Sequence, residues 1–159
     1  MSFEIVFLSE MIIVGAELKT TWQNNECYKA IPEFWTKQKN ENIFEKIHHK
    51  VYPDVILGFY TNYTSDFSLT SGYYSLIIGC PVSKIDDVAE GMAIKNISAG
   101  KYAVFTANGR LEEAVARVWL EEICQNKKIQ RTFTNDFEWY DSKSTNDESC
   151  VVKIYISIK

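Results

Sequence analysis

Thr132-Phe133-Thr134-Asn135-Asp136-Phe137-Glu138-Trp139-Tyr140 reads as a strand, dense in aromatic residues, with a carboxylate set among them. Successive strand side chains point to opposite faces of a sheet. Phe137 and Trp139 therefore share one face, and Glu138 and Tyr140 share the other. If the first pair faces a core, Glu138 faces whatever lies opposite, beside a phenol. Two readings follow. On a solvated sheet face Glu138 is a surface residue or a partner for Lys or Arg. In an aromatic-walled pocket it would attract cations or move protons.

Working outward, Gly109–Lys127 precedes this strand and has the spacing of a helix. Leu111, Ala114, Val115, Val118, Trp119 and Ile123 recur at intervals of three and four. Val151–Ile158 follows the strand across the polar loop Asp141–Ser149, and it alternates apolar Val152, Ile154 and Ile156 with Lys153, Tyr155 and Ser157. Gly91–Ile97 and Lys101–Ala107 are strands on either side of Ser98-Ala99-Gly100. The first half shows the same order. An extended segment over Phe3–Leu18 leads to a helical pattern over Glu26–Lys39, with Tyr28, Ile31, Phe34 and Trp35 on one side. Pro32 predicts that this helix begins near the proline, where a missing N–H costs nothing. Val55–Tyr63 and Tyr73–Val82 then form a hairpin around the polar turn Thr64–Gly72.

Each half is thus strand, helix, strand, strand, with pseudo-repeats at about 1–83 and 91–159 in one domain spanning 1–159. Ile56–Tyr60 corresponds to Asp136–Tyr140, and each helix carries one tryptophan, Trp35 or Trp119. A duplicated unit of this kind places two antiparallel sheets side by side and leaves a cleft between the helices or at the pseudo-twofold axis. The fold class is α+β.

Composition narrows the function. The 159 residues carry a net charge of −4, which disfavours direct nucleic-acid binding. Lys127, Lys128 and Arg131 read as a helix C-terminus meeting its dipole. An aromatic share of 14% suits a lined pocket as well as a core. Cys27, Cys80, Cys124 and Cys150 are scattered without Cys-x-x-Cys spacing, so neither a disulfide framework nor a zinc site is expected, and no other metal or cofactor is expected with only His48 and His49 to add. The chain has no signal-peptide pattern and no segment apolar enough for a membrane span, so a cytoplasmic location without membrane partners is expected.

Several short motifs in order carry a resemblance: Ile12-Ile13-Val14-Gly15; Ser71-Gly72-Tyr73-Tyr74 with Ile78-Gly79-Cys80-Pro81-Val82; Ile97–Phe105; Gly109 to Trp119; Asp136-Phe137-Glu138-Trp139-Tyr140; and Val152–Ile156. Together they resemble the GyrI-like, AraC-type effector-binding domain over essentially the whole chain. The resemblance implies a duplicated βαββ fold with a central groove. It also implies that the acid of the Asp-Phe-Glu-x-Tyr strand, here Glu138, lies at the groove floor and meets cationic aromatic ligands. Met1-Ser2-Phe3 leads straight into the first strand, so no helix-turn-helix is expected ahead of the domain.

The expected ligand-binding set is Glu138, Tyr140, Tyr60, Tyr63, Tyr74, Trp35 and Trp119. By pseudosymmetry Tyr60 stands across from Glu138, and Gly58 either thins the sheet beneath a ligand or marks a bulge. The leading function is a stand-alone small-molecule binder for cationic or amphipathic aromatic compounds, in drug sensing, sequestration or as an accessory to transcription regulation. One alternative is a hydrolase of strained electrophiles, with Glu138 as base and Tyr140 as proton donor. Another is a protein-interaction role such as gyrase inhibition.

Overall fold

The computed structural model of the protein describes residues 2–146 and 148–159. Its strands are β1 (Glu4–Leu8), β2 (Met11–Thr20), β3 (Val55–Thr61), β4 (Tyr74–Val82), β5 (Ala93–Ile97), β6 (Gly100–Gly109), β7 (Arg131–Asp141) and β8 (Cys150–Ile158). Its helices are α1 (Glu26–Asn40) and α2 (Leu111–Arg117). The strands form one eight-stranded antiparallel sheet in the order β1-β6-β8-β7-β3-β4-β2-β5.

The two expected halves, β2-α1-β3-β4 and β6-α2-β7-β8, lie side by side and are hydrogen-bonded to each other through β3 and β7. The leading strands are exchanged between them. β1 precedes β2 in the chain yet pairs with β6, and β5 precedes β6 yet pairs with β2. This reciprocity is what a pseudo-twofold axis through the β3–β7 seam requires. Register at the seam sets Gly58 opposite Glu138, Tyr60 opposite Asp136 and Ile56 opposite Tyr140.

Apolar residues of alternating strands decide which face is core. Leu57, Phe59, Ile77, Ile97, Tyr102 and Phe137 are buried together on one face. There the Phe137 ring stacks on Tyr155 with centroids 4.5 Å apart. The even-numbered residues of β7, Asp136, Glu138 and Tyr140, consequently face the helices. On that side Ala114 of α2 and the following Val118 are buried with Ala103, Phe105, Val152 and Ile154.

Helix boundaries depart from the sequence pattern. α1 begins at Glu26, and Pro32 lies inside it, so the carbonyl of Tyr28 lacks its N–H partner. A left-handed Asn25 and the bond from Cys27 N–H to the Thr21 carbonyl (3.1 Å) anchor this earlier start. The second helix is regular only through Arg117; Val118–Ile123 continues with wider turns in which the Cys124 N–H reaches the Trp119 carbonyl at 2.9 Å. It therefore ends before Lys127. Arg131 is no helix terminus: it opens β7.

Candidate functional site

Two helices over a sheet leave a space where their apolar faces do not meet it. α1 buries only Cys27 and Gln38, although its pattern carries a long apolar side. Tyr28, Ile31 and Trp35 instead line a cavity of about 980 Å³, whose other walls come from Leu111, Val115 and Trp119. β3 and β7 form its floor. All seven expected residues, Glu138, Tyr140, Tyr60, Tyr63, Tyr74, Trp35 and Trp119, line this one cavity.

Glu138 is the centre of the floor and is only 3% exposed. Its carboxylate accepts hydrogen bonds from the Trp119 indole N–H at 2.7 Å, the Tyr140 hydroxyl at 2.7 Å and the Tyr60 hydroxyl at 3.3 Å. All three donors are neutral, and no cation pairs with Glu138 among the described residues. Burial pushes its carboxyl above the ordinary carboxylate value, and the three hydrogen bonds partly offset that push. Tyr60 and Tyr140 are raised well above an ordinary phenol, first by burial and then by the Glu138 charge. Both therefore remain proton donors throughout the physiological range.

Gly58 makes this arrangement possible. A Cβ there would lie 2.8 Å from Glu138 Oε1 and 3.3 Å from the Trp35 ring. The strand runs through Gly58 in unbroken register on both sides, so the residue marks no bulge. Its missing side chain is the space the carboxylate occupies. Tyr60 is not directly across the seam from Glu138, as pseudosymmetry suggested; Gly58 is, and Tyr60 reaches the carboxylate diagonally through its hydroxyl.

The pseudo-twofold is visible in the walls. Trp35 of the first half packs edge-on against Tyr140 of the second, with centroids 5.3 Å apart and planes at 75°. Trp119 of the second half packs edge-on against Tyr60 of the first, at 5.4 Å and 72°. From Tyr60 the rings continue to Tyr74 at 5.9 Å and on to Tyr63, which stacks on Tyr74 at 5.8 Å.

A second buried carboxylate lies two residues along the same face, and the sequence reading missed its role. Asp136 is fully buried and accepts from the Tyr63 hydroxyl at 2.6 Å, the Arg131 guanidinium at 2.8 Å and the Ser157 N–H at 3.1 Å. In a straight strand, residues 131 and 136 would stand ~16 Å apart. Instead β7 shifts register between them, pairing Arg131 with Ile158 but Asp136 with Ile156, and Phe133 within the shift has a left-handed φ of 55°. That distortion folds Arg131 back onto Asp136. Nothing in the residue pattern of Thr132–Asn135 announces it.

The four cysteines are all free. Burial raises the thiols of Cys27, Cys124 and Cys150, and pushes Cys80 up to about 11, so none is an activated nucleophile. Among the described residues no His, Cys, Asp and Glu side chains gather as a metal-ligand cluster, and no helix is long and apolar enough to cross a membrane.

Comparison with known proteins adds to this geometry. Residues 4–158 match the family described as Cass2, integron-associated effector binding protein. The chain is 32% identical over 134 residues to YobU of Bacillus subtilis (strain 168), a candidate transcriptional regulator by name, covering 82% of this chain and 81% of that one. It is similar in structure to SAV2435 bound to tetraphenylphosphonium, with a TM-score of 0.81 and 22% identity over 100% of this chain and 94% of the other. The Vibrio cholerae integron cassette protein VCH_CASS2 is similar at a TM-score of 0.68 and 24% identity, over 99% and 95% of the two chains. At such identities the structural likeness establishes a shared fold.

Proposed function

The chain belongs to the Cass2 family of integron-associated effector-binding proteins, and from this we propose that its groove binds an aromatic or amphipathic monocation with Glu138 as counter-ion. One observation carries the reading: a carboxylate 3% exposed, held by three neutral donors and by no cation among the described residues, at the floor of an aromatic cavity of about 980 Å³. Burying an ion without a partner is costly. An arriving cation would supply what the protein omits, and in a site cleared of water that attraction is stronger than at a surface. The indoles and phenols add cation–π contact worth ~0.5–2 kcal/mol each. The tetraphenylphosphonium bound by SAV2435 is a ligand of this chemistry. Binding here would serve to sense or sequester such compounds or to inform transcription.

Tryptophan-fluorescence titration with tetraphenylphosphonium tests the proposal, with tetraphenylborate as a control of the same shape and opposite charge. The cation should bind and the anion should not. Glu138→Gln should weaken the cation by ~2–5 kcal/mol, the range for losing one partner of a buried charge pair. Equal affinity of wild type and variant for the cation would refute the counter-ion role.

The 2.7 Å contact between Tyr140 and Glu138 supports a second reading, in which Glu138 is a general base and Tyr140 a proton donor toward a strained electrophilic ring. Incubation with an aryl epoxide should then give the ring-opened diol, and Tyr140→Phe should abolish it. An epoxide recovered intact would discard this reading.

A further inference from the structure

Arg131 stands in the wall of the same cavity with most of its donor capacity unspent. A guanidinium has five N–H groups. Through Nη2 it donates to Asp136 at 2.8 Å; Nε has no acceptor but is closed off from the cavity, and no other bond from the guanidinium is formed among the described residues, so Nη1 and the second Nη2 hydrogen are the donors left for a ligand. Asp136, by contrast, is served by three donors. The charge of Arg131 is met; its directional hydrogen bonding is not.

Its place in the groove is fixed. The side chain is 13% exposed, and its Cζ lies 4.3 Å from the Phe133 ring centroid and 5.7 Å from that of Trp119. Trp119 is also the residue whose N–H holds Glu138. A carboxylate without a cation and a guanidinium with spare donors therefore flank a single indole, and both line the cavity. The register shift of β7 brings Arg131 there.

We propose that Arg131 is a second anchoring point for the groove's ligand, receiving a neutral oxygen acceptor such as a carbonyl, ester or ether. The ligand class is then an aromatic cation that carries such an acceptor at a distance from its charge. A free carboxylate fits less well, because Asp136 already neutralises the guanidinium and Glu138 would repel it. This inference rests on the reading of Glu138 as the cation site.

Two dyes separate the claims: tetramethylrosamine, and tetramethylrhodamine methyl ester, which has the same cationic ring system plus one ester. Fluorescence anisotropy on the full chain should show the ester dye binding about tenfold tighter, as one hydrogen bond to a charged donor warrants. Arg131→Lys keeps a cation against Asp136 but loses the fork, and Arg131→Met combined with Asp136→Asn removes both charges together. In each variant that retains the native circular dichroism spectrum the ratio should fall to about one, through weaker binding of the ester dye. A wild-type ratio of one overturns the proposal, as does a preference that survives in the variants or a loss of both dyes in them. Should neither variant fold, the wild-type ratio decides alone. Glu138→Gln should weaken both dyes and leave the ratio intact. If wild type binds neither dye, the cation site itself fails and this anchor with it; if it binds both equally, only the anchor fails.

Discussion

Asp136 and Glu138 are two buried carboxylates on one face of one strand, yet the protein treats them differently. Asp136 has a cation of its own, brought to it by a distortion of β7. Glu138 has three neutral donors and an aromatic cavity in front of it. A charge that the fold neutralises internally stabilises or orients structure. A charge the fold leaves unneutralised, but keeps solvated by hydrogen bonds, is available to something from outside. Burial is common to both carboxylates; what separates them is whether the fold supplies a cation.

The comparison breaks first at stability. Arg131→Met leaves Asp136 charged and unpaired, and should destabilise the fold by ~3–5 kcal/mol in chemical denaturation. Glu138→Gln should be near neutral or slightly stabilising at pH 7, because it removes a charge that has no cation partner among the described residues. Equal losses in the two variants would erase the distinction. The effect of Gly58→Ala should be next in size. Its new Cβ would press on Glu138 Oε1, and overpacking of this kind costs ~1–3 kcal/mol. Cation affinity should fall with stability in that variant, whereas Ala at an exposed strand position should leave affinity unchanged.

Acidity sharpens the contrast further. The folded-state pKa of Glu138 is raised, so over the range between its ordinary and folded values the folded protein holds a proton that the unfolded chain has released. Stability should therefore fall as pH rises through that window, and this component should vanish in Glu138→Gln. Cation affinity should run the other way. It should be flat above the folded pKa and weaken by ~1.4 kcal/mol per pH unit below it, where the cation must displace a proton. The phenols grade the support of the carboxylate, Tyr60 giving the smallest effect. Tyr140→Phe loses a 2.7 Å bond to the carboxylate and should cost ~1.5–3 kcal/mol of its support, against ~0.5–1.5 kcal/mol for the 3.3 Å bond of Tyr60.

Much of this was legible in the residues. The alternation Phe137-Glu138-Trp139-Tyr140 assigns faces without any structure, and the repeated strand-helix-strand-strand order gives the two halves and the cleft between their helices. Trp35 and Trp119 mark the same place in each half, and the fold sets them against Tyr140 and Tyr60. What escaped reading depended on geometry that sequence periods do not encode. Arg131 meets Asp136 only because β7 is distorted between them, so it read as part of a basic helix end. Gly58 meets Glu138 only in the register of β3 against β7. Pro32 sits inside α1 because contacts to the preceding turn start the helix early, and local propensity yields to them. The exchange of β1 and β5 between the halves is a long-range pairing that neighbouring residues do not announce.

The most direct measurement is a pH titration of the Glu138 side-chain carboxyl by carbon NMR, with and without tetraphenylphosphonium. In the free protein the Glu138 carboxyl should titrate above the ordinary range, with its pKa lowered by a unit or more, ~1.4 kcal/mol or greater, when the cation is bound. A Glu138 pKa that is unchanged by saturating cation would contradict the claim that this carboxylate is the ligand's counter-ion.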